Sequence, residues 1–150
     1  MNRCPTRWTP RTLSRNLPAS ICMVLATVDR DGAPSTAFVA WVVARADGAI
    51  ALALDRRSSA YRNLASGSRM VACELLGDDI VLSLRGRARI ERERMRSAPF
   101  PCALATIAIE QIRDHAVGGV DFRAPHYAYA PGKQHRMAIE RAVRSELLGG

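Results

Sequence analysis

Two apolar runs near the N-terminus carry the clearest hydrophobic pattern in the chain. Residues 21–28 are apolar at nearly every position, which predicts a strand that is covered on both faces. The connection, residues 29–34, contains Gly32 and ends in Pro34, which suits the first position of a returning strand because it has no N–H to donate. Residues 35–44 are again apolar on both faces. We therefore predict a hairpin with one face in a barrel interior and the other against a helix or a partner subunit.

Four further strands are predicted downstream of this hairpin. They lie at residues 49–54, 70–76, 80–91 and 103–109. The alternation is clearest at 80–91, where apolar residues occupy every second position and Arg85, Arg87 and Arg89 face the opposite side. That pattern indicates a half-buried antiparallel strand.

Four helices are predicted from changes of period and from capping residues. They lie at residues 11–16, 60–66, 93–97 and 134–148. Thr9 suits the N-cap of the first helix, and Ser58 or Ser59 suits the N-cap of the second. Gly67 is expected to stop the second helix.

Six short strands with a few small helices favour a mainly β fold, built as an antiparallel barrel, with a two-sheet sandwich as the rival. A chain of 150 residues is long enough for one domain with a buried core. We expect residues 1–150 to form that domain, with an arm and helix at 1–17 and a loop and closing helix at 113–150. Residues 1–8 are expected to be frayed, and the pattern at 114–133 is irregular.

The composition is that of an ordinary globular protein, with 48% apolar and 24% charged residues and a net charge of +8. Arginine supplies nearly all of the positive charge, since Lys133 is the only lysine. That excess suits phosphate groups or nucleic acid, and it equally fits a compositional bias. Aromatic and basic residues are not interleaved, which argues against a nucleic-acid partner. No apolar run approaches the roughly 20 residues of a membrane span, and we identify no signal peptide.

Motifs of common catalytic and metal sites are missing from the sequence. Four cysteines without C-x-x-C spacing indicate free, buried thiols and a reducing cytoplasm. His115, His126 and His135 match no familiar metal-ligand spacing, so no metal is expected. Asp114 and His115 would make a catalytic dyad, but no nucleophile has a spacing that points to them. The residues alone therefore indicate no catalytic centre.

The best site candidate from the residues alone is the turn Asp-Arg-Arg-Ser-Ser at 55–59, which opens the second predicted helix. A helix start offers free backbone N–H groups, and arginine and serine side chains add donors, so the turn can hold a phosphate. A solvated, well-capped helix start is the alternative. Arg85, Arg87 and Arg89 would likewise form a wall for an anionic ligand, or a row of exposed charges that discourages aggregation.

Four short segments stand in an order and spacing that is typical of one known family. They are LATVDRDGAP at 25–34, LDRRSS at 54–59, RNL at 62–64 and RGRARI at 85–90. In this order the chain resembles the pyridoxamine 5′-phosphate oxidase-like, FMN-binding split-barrel proteins, over residues 13–112. The resemblance implies a six-stranded antiparallel split barrel that forms a homodimer, with FMN in each of two clefts between the protomers. It also implies that the apolar outer face of the first hairpin meets the second subunit.

The resemblance also assigns site residues. The family's phosphate contacts fall in the second strand and at the start of the second helix, where this chain keeps Ser58 but has Ser59 and Ala60 in place of an arginine-lysine pair. Neighbouring arginines are expected to substitute as phosphate partners, and the backbone at 39–41 to bond the isoalloxazine edge. Trp41 would either wall the ring or serve as core. The expected cofactor-binding residues are Val39, Ala40, Trp41, Asp55, Arg56, Arg57, Ser58, Ser59 and Arg62.

The function implied by the resemblance is FMN-dependent oxidation or reduction of a small, unidentified substrate by a cytoplasmic homodimer. Two alternatives stay open: a non-catalytic module that binds FMN, heme or a deazaflavin, and a dimeric barrel without a cofactor. The substrate would stack on the exposed ring face under residues 118–132, where Phe122, His126, Tyr127 and Tyr129 would form a lid. The alternative is that these aromatics pin the C-terminal arm onto the barrel.

Overall fold

The computed structural model describes residues 7–66 and 69–149. Within these residues the helices are α1 (Pro10–Asn16), α2 (Ser59–Ala65) and α3 (Arg136–Leu147). The strands are β1 (Cys22–Val28), β2 (Pro34–Val39), β3 (Val42–Ala44), β4 (Ile50–Asp55), β5 (Met70–Gly77), β6 (Ile80–Arg92) and β7 (Cys102–Asp114). All strands pair antiparallel in one sheet with the order β2-β1-β5-β6-β7-β4-β3.

This sheet confirms the mainly β, antiparallel split-barrel class, with seven strands where six were predicted. The difference lies in the second predicted strand, which breaks at Ala40 and Trp41 into β2 and β3. β2 pairs with β1, and β3 pairs with β4, so the two halves of one apolar run form opposite edges of the sheet. The seam of the barrel therefore passes through this break.

The barrel interior is filled by the inward-facing residues of the strands. Leu25, Leu52, Leu75, Leu82 and Ile107 are fully buried, and α1 and α2 add further apolar side chains to the same core. Each such side chain stabilises the fold by about 1.5–3 kcal/mol relative to exposure. Along β6 buried and exposed positions alternate over most of its length, as the period of two predicts.

Helix α3 covers the outer face of β4 and β7. Val143 and Leu147 on α3 belong to one buried cluster with Ala51 on β4 and Leu104 on β7. This cluster explains why β4 is apolar on both faces: one face fills the barrel and the other receives the helix. Sequence periodicity predicted α3 but not its docking site.

The outer face of the first hairpin is different from that of β4. Val28, Phe38 and Met70 lie on this face of β1, β2 and β5 and are 36%, 59% and 37% exposed. In the described part of the protomer these apolar side chains therefore stay in contact with water. Cover by a second subunit, which the resemblance implies, remains a prediction.

Gly86 marks a close approach inside the sheet. β6 and β7 change register between Arg85 and Gly86. A Cβ atom at Gly86 would lie 2.2 Å from the carbonyl oxygen of Ala108, far inside contact distance. Because only glycine fits, the bulge and the glycine together let the long β6–β7 pair bend around the barrel.

Two local predictions are wrong, and one falls outside the described residues. Trp8, expected to be frayed, is 8% exposed and belongs to the core. Residues 93–97, expected to be helical, form a bent loop because their backbone N–H groups bond to α3 and β7. Thr9 and Ser58 cap α1 and α2 as predicted. Gly67 lies outside the described residues.

Cys22, Cys73 and Cys102 are buried free thiols, as predicted, and Cys4 lies outside the described residues. In the part of the chain that the structure describes, no helix has the length and apolar character needed to cross a membrane.

Candidate functional site

The break between β2 and β3 opens a groove on the surface. Trp41 stays anchored there because its carbonyl oxygen accepts the N–H of Ala53 on β4 at 3.0 Å. The groove has a volume of about 260 Å³ and is lined by the end of β2, the break, the end of β4, Ser58, Phe100 and Cys102. We call it the Trp41 groove.

The structure brings most of the predicted site residues to this groove. Those that line it are Val39, Ala40, Trp41, Asp55 and Ser58. The others lie in the turn before α2 and on α2 itself: Arg56, Arg57, Ser59 and Arg62. Two segments that are separate in the sequence, 39–41 and 55–59, therefore meet at one place.

One wall of the groove is aromatic. Trp41 stacks on Phe100 with ring centroids 5.8 Å apart and planes at 21°. The guanidinium of Arg57 lies 5.5 Å from the centroid of the Phe100 ring. A flat aromatic wall with a cation at its end suits a planar, anionic ligand. Phe100 was not predicted, because it lies in an irregular loop with no periodic signal around it.

Asp55 holds Arg57 in place. Its two carboxylate oxygens accept bonds from Nε and Nη2 of Arg57 at 3.0 and 2.8 Å, and Oδ1 also accepts the Arg57 backbone N–H at 2.8 Å. The side-chain bond from Arg57, followed by the backbone bond, lowers the pKa of Asp55 below its ordinary value. Asp55 is therefore charged at neutral pH, and any phosphate here must share Arg57 with it.

The start of α2 is closed by its own side chains. The Ser58 hydroxyl accepts an N–H of the first helical turn at 3.1 Å and donates to the carbonyl oxygen of Asp55 at 2.6 Å. Arg62 reaches back along the helix to donate to the Arg57 carbonyl at 2.7 Å and to the Ser59 hydroxyl at 3.1 Å. These bonds make the well-capped helix start that was the alternative interpretation of this turn, and they also gather polar groups at one end of the groove.

Arg56 is held less tightly than Arg57. Its guanidinium lies 5.5 Å from the centroid of the Tyr61 ring and 3.8 Å from the carboxylate of Glu93, and its side chain is 39% exposed. An exposed ion pair of this length contributes little to stability. Arg56 is therefore the arginine of this turn that an incoming anion can recruit most easily.

Glu146 on α3 fixes the loop that carries Phe100. This carboxylate is 6% exposed and accepts bonds from Arg92 Nη1 at 2.7 Å, from the backbone N–H groups of Arg96 and Ser97 at 2.8 Å each, and from the Ser97 hydroxyl. Burial alone would raise the pKa of Glu146, but these bonds, led by that of the Ser97 hydroxyl, outweigh it and lower the pKa to about 2. The aromatic wall thus rests on a buried, charged anchor.

Arg144 ties α3 to the strand break. Its Nη1 donates to the carbonyl oxygen of Val42 at 3.2 Å, and its Nη2 lies 3.4 Å from that of Ala40. Glu140, one turn earlier, forms an ion pair with Arg144 at 3.1 Å. Both sides of the Trp41 groove, the break and the Phe100 loop, are therefore positioned by α3.

The C-terminal segment before α3 is tied to the β5–β6 turn and to α3. Asp79 in the β5–β6 turn exchanges two hydrogen bonds with the backbone of Phe122, both 3.0 Å long. Tyr127 and Tyr129 donate their hydroxyls to Glu140 on α3. None of these aromatic residues lines the groove within the protomer. The contacts favour pinning of the arm to the barrel over a lid on the same protomer's groove.

Neither Cys102 nor His115 provides a nucleophile. Burial, and then the nearby charge of Asp55, raise the pKa of Cys102 to about 11, so the residue is a thiol at neutral pH. The His115 ring nitrogen Nε2 lies 2.7 Å from the Ser83 hydroxyl, which gives its proton to Glu74 at 2.6 Å. Because the Ser83 hydroxyl donates its only proton to Glu74, it has none to give to His115, and the contact does not make Ser83 an activated nucleophile.

Comparisons with known proteins agree with this fold. The family model described as pyridoxamine 5'-phosphate oxidase matches residues 10–144. Three solved structures are similar. HupZ of Group A Streptococcus has 16% identity, a TM-score of 0.57, and coverage of 75% of this chain and 94% of that chain. An F420 reductase has 16% identity, a TM-score of 0.51, and coverage of 69% and 94%. An FMN-binding protein from Syntrophomonas wolfei subsp. wolfei has 17% identity, a TM-score of 0.52, and coverage of 72% and 84%.

At these identities the similar structures establish the fold alone. A comparison with curated protein sequences finds no match. The family match, in contrast, runs from α1 to α3 and includes every strand of the barrel. On that match, the chain belongs to the pyridoxamine 5'-phosphate oxidase family.

Proposed function

We propose that this protein is a flavin-dependent oxidoreductase of a small substrate and that it holds FMN in the Trp41 groove. The observation that carries the proposal is the meeting of the 39–41 break and the 55–59 turn in one groove with an aromatic wall. Flavin, when bound, supplies the hydride or electron transfer, and the protein supplies orientation and polarity. The solved FMN-binding protein with the same fold supports this choice of cofactor.

The residues of the groove fit a flavin at both ends. The Trp41–Phe100 wall suits the flat ring, and the backbone at 39–41 borders the same space. The polar end is the start of α2, where Ser58 lines the groove and Arg56 and Arg57 supply positive charge. Two donor nitrogens of Arg57 are already bonded to Asp55. We therefore expect phosphate to bind here more weakly than at a site with free basic residues.

A second copy of the chain is proposed to complete the site. Ligand pockets that enclose a small molecule usually have a volume of about 300–1,000 Å³, and the Trp41 groove of one protomer has about 260 Å³. Phe38 lies at once on this groove and on the exposed apolar face of the first hairpin. Dimerisation through that face would cover Val28, Phe38 and Met70 and close the groove in one step.

A deazaflavin is the second candidate cofactor. The F420 reductase among the similar structures has the same barrel. In this chain Arg57 is already bonded to Asp55, so the phosphate end of the groove selects weakly between FMN and a deazaflavin. Selection between the two rings then depends on the Trp41–Phe100 wall. Competition between the two cofactors distinguishes them.

The experiment is a titration of purified protein with FMN and with F420, followed by absorption and fluorescence, at equal protein concentration. We expect saturable binding of FMN, reduction of the bound flavin by NADH or NADPH, and reoxidation by a small acceptor. Preferred binding of F420 would assign the deazaflavin. Binding without any reduction would make the protein a flavin-binding module, and failure to bind either cofactor would contradict the proposal.

A further inference from the structure

A second groove lies on the outer face of the sheet, at the far end of β4 from the Trp41 groove. It has a volume of about 640 Å³ and runs between the first residue of α1, the β3–β4 turn and the β6–β7 pair. Ala49 borders this groove, and Asp55 borders the Trp41 groove. Ala53, four positions along β4 from Ala49, also lines the Trp41 groove, so at about 3.3 Å per residue the nearest lining residues of the two grooves are about 13 Å apart.

Positive charge dominates the lining of this groove. Arg69, Arg87 and Arg89 line it, and we call it the arginine groove. Asp47 is the acidic residue of the lining, and its Oδ1 accepts the backbone N–H of Ala49 at 2.9 Å, within its own turn. The lining therefore carries a charge of +2, from three guanidinium groups and one carboxylate.

The guanidinium groups keep donors for a ligand. Arg87 bonds Glu110 through Nε at 2.9 Å and is 65% exposed. Arg89 lies 3.4 Å from the Thr106 hydroxyl through Nε and is 72% exposed. Its Nη2 is 3.9 Å from Glu91, a carboxylate to which Arg45 donates two shorter bonds of 3.0 and 3.2 Å. Arg87 and Arg89 thus commit one short bond at most, out of five donors each.

The alternative role of these arginines, protection against strand-edge aggregation, does not match their place in the sheet. β6 lies between β5 and β7 and is hydrogen-bonded along both sides, so it presents no edge. Small residues form the floor between the arginines, with Gly48, Ala49, Ala88 and Ala108 among the lining. Such a floor leaves room for a ligand to lie close to the strands while the guanidinium groups reach its anionic end.

We propose that the arginine groove binds a small molecule that carries a phosphate group, at a site separate from the flavin site. Arginine forks match phosphate oxygens in pairs, and the guanidinium groups of the lining outnumber its one carboxylate three to one. Arg87 and Arg89 stand at alternate positions on the same strand face, so both reach one ligand from the same side. The Thr106 hydroxyl, beside Arg89, adds a neutral donor.

The test uses inorganic phosphate and pyrophosphate as probes, by calorimetry at low ionic strength and by amide chemical shifts. We expect saturable binding of pyrophosphate, with shifts at residues 87–89 and 106–108. The variant Arg87→Gln/Arg89→Gln should lose binding at least tenfold with an unchanged melting temperature. Arg89→Lys, which keeps the charge without the fork, should lose part of the affinity.

The matched control removes the same charge elsewhere. Arg113→Gln/Arg136→Gln alters two exposed arginines outside both grooves and should bind pyrophosphate as the wild type does. Absence of saturable binding overturns the proposal. Equal losses in both double variants, or shifts confined to residues 55–62, also overturn it, because they indicate unspecific charge or the flavin site.

Discussion

The ion pair between Asp55 and Arg57 limits how tightly the Trp41 groove can bind a phosphate. The bidentate bond fixes the guanidinium at the end of the aromatic wall, and it also occupies two of the donors that a phosphate would use. Arg56 carries a longer and more exposed ion pair. Affinity for a phosphorylated ring should therefore depend on both arginines together.

The variant Arg56→Ala/Arg57→Ala should weaken FMN binding at least tenfold. Charged hydrogen bonds contribute about 1.5–3 kcal/mol each, and a tenfold change corresponds to about 1.4 kcal/mol. Both side chains project from a turn, so the melting temperature should change little. Fluorescence titration measures the affinity, with Arg113→Ala/Arg136→Ala as the control of equal charge. Unchanged affinity would remove the turn from the site.

Substitutions of Trp41 test whether this residue contacts the flavin or only packs in the core. Trp41→Phe keeps an aromatic face against Phe100 and should retain most FMN affinity, whereas Trp41→Ala should lose about two- to tenfold, since an aromatic contact contributes about 0.5–1.5 kcal/mol. The same titration provides the readout, with urea unfolding to separate lost stability from lost binding. If Trp41→Ala lowers stability alone and binds FMN normally, Trp41 is core.

At the scale of elements, α3 positions the site although it contributes no residue to the lining of the groove. The apolar face of α3 was predictable from the spacing of Ile139, Val143 and Leu147. The polar residues between them, which position the groove, gave no such pattern. Residues 93–97 have the charged composition of a short helix. They form a loop because Glu146, about fifty positions later, accepts their backbone N–H groups. No local signal reports such a long-range bond, and this is why Phe100 was missed.

Glu146 gives the fold a specific sensitivity to acid. Its folded-state pKa of about 2 is below the ordinary 4.5, so its contribution to stability is complete above pH 4.5 and is lost as the pH falls towards 2. Glu146→Gln should cost about 1.5–3 kcal/mol at pH 7. It should also flatten the decline of stability between pH 4.5 and 2.

Urea unfolding across pH 2–7 measures this contribution. Glu110→Gln is the matched control, because it removes a carboxylate that is 46% exposed and pairs with Arg87 on the surface, where an ion pair contributes about 0–1 kcal/mol. Equal urea midpoints for the two variants at pH 7, or identical acid limbs, would contradict the assigned role of Glu146.

At the scale of the whole molecule, alternation and turn residues predicted most strands, their antiparallel pairing and the barrel class. The exception is the break at Ala40 and Trp41. The apolar pattern continues through this point because β2 and β3 both bury side chains on one face. What changes at the break is the pairing: β2 bonds to β1, and β3 bonds to β4. The candidate site follows from that break. Local sequence pattern indicated the 55–59 turn alone, and only the resemblance to the family placed the turn and residues 39–41 in one site.

The exposed hairpin face should control assembly. Phe38→Glu places a charge on a side chain that is 59% exposed in the protomer, so the fold should survive while a dimer that buries this face should dissociate. Light scattering after size-exclusion chromatography should give a monomer mass for this variant and a dimer mass for the wild type. Val117→Glu, at another exposed apolar residue, should remain a dimer. A monomeric wild type would contradict the proposed closure of the groove.

The most direct test of the central claim is an equilibrium titration of the purified, flavin-free protein with FMN, followed by the absorption spectrum of the flavin. The proposed site in the Trp41 groove predicts a saturable spectral change with one FMN bound per chain. A spectrum that stays that of free FMN at all protein concentrations would contradict it.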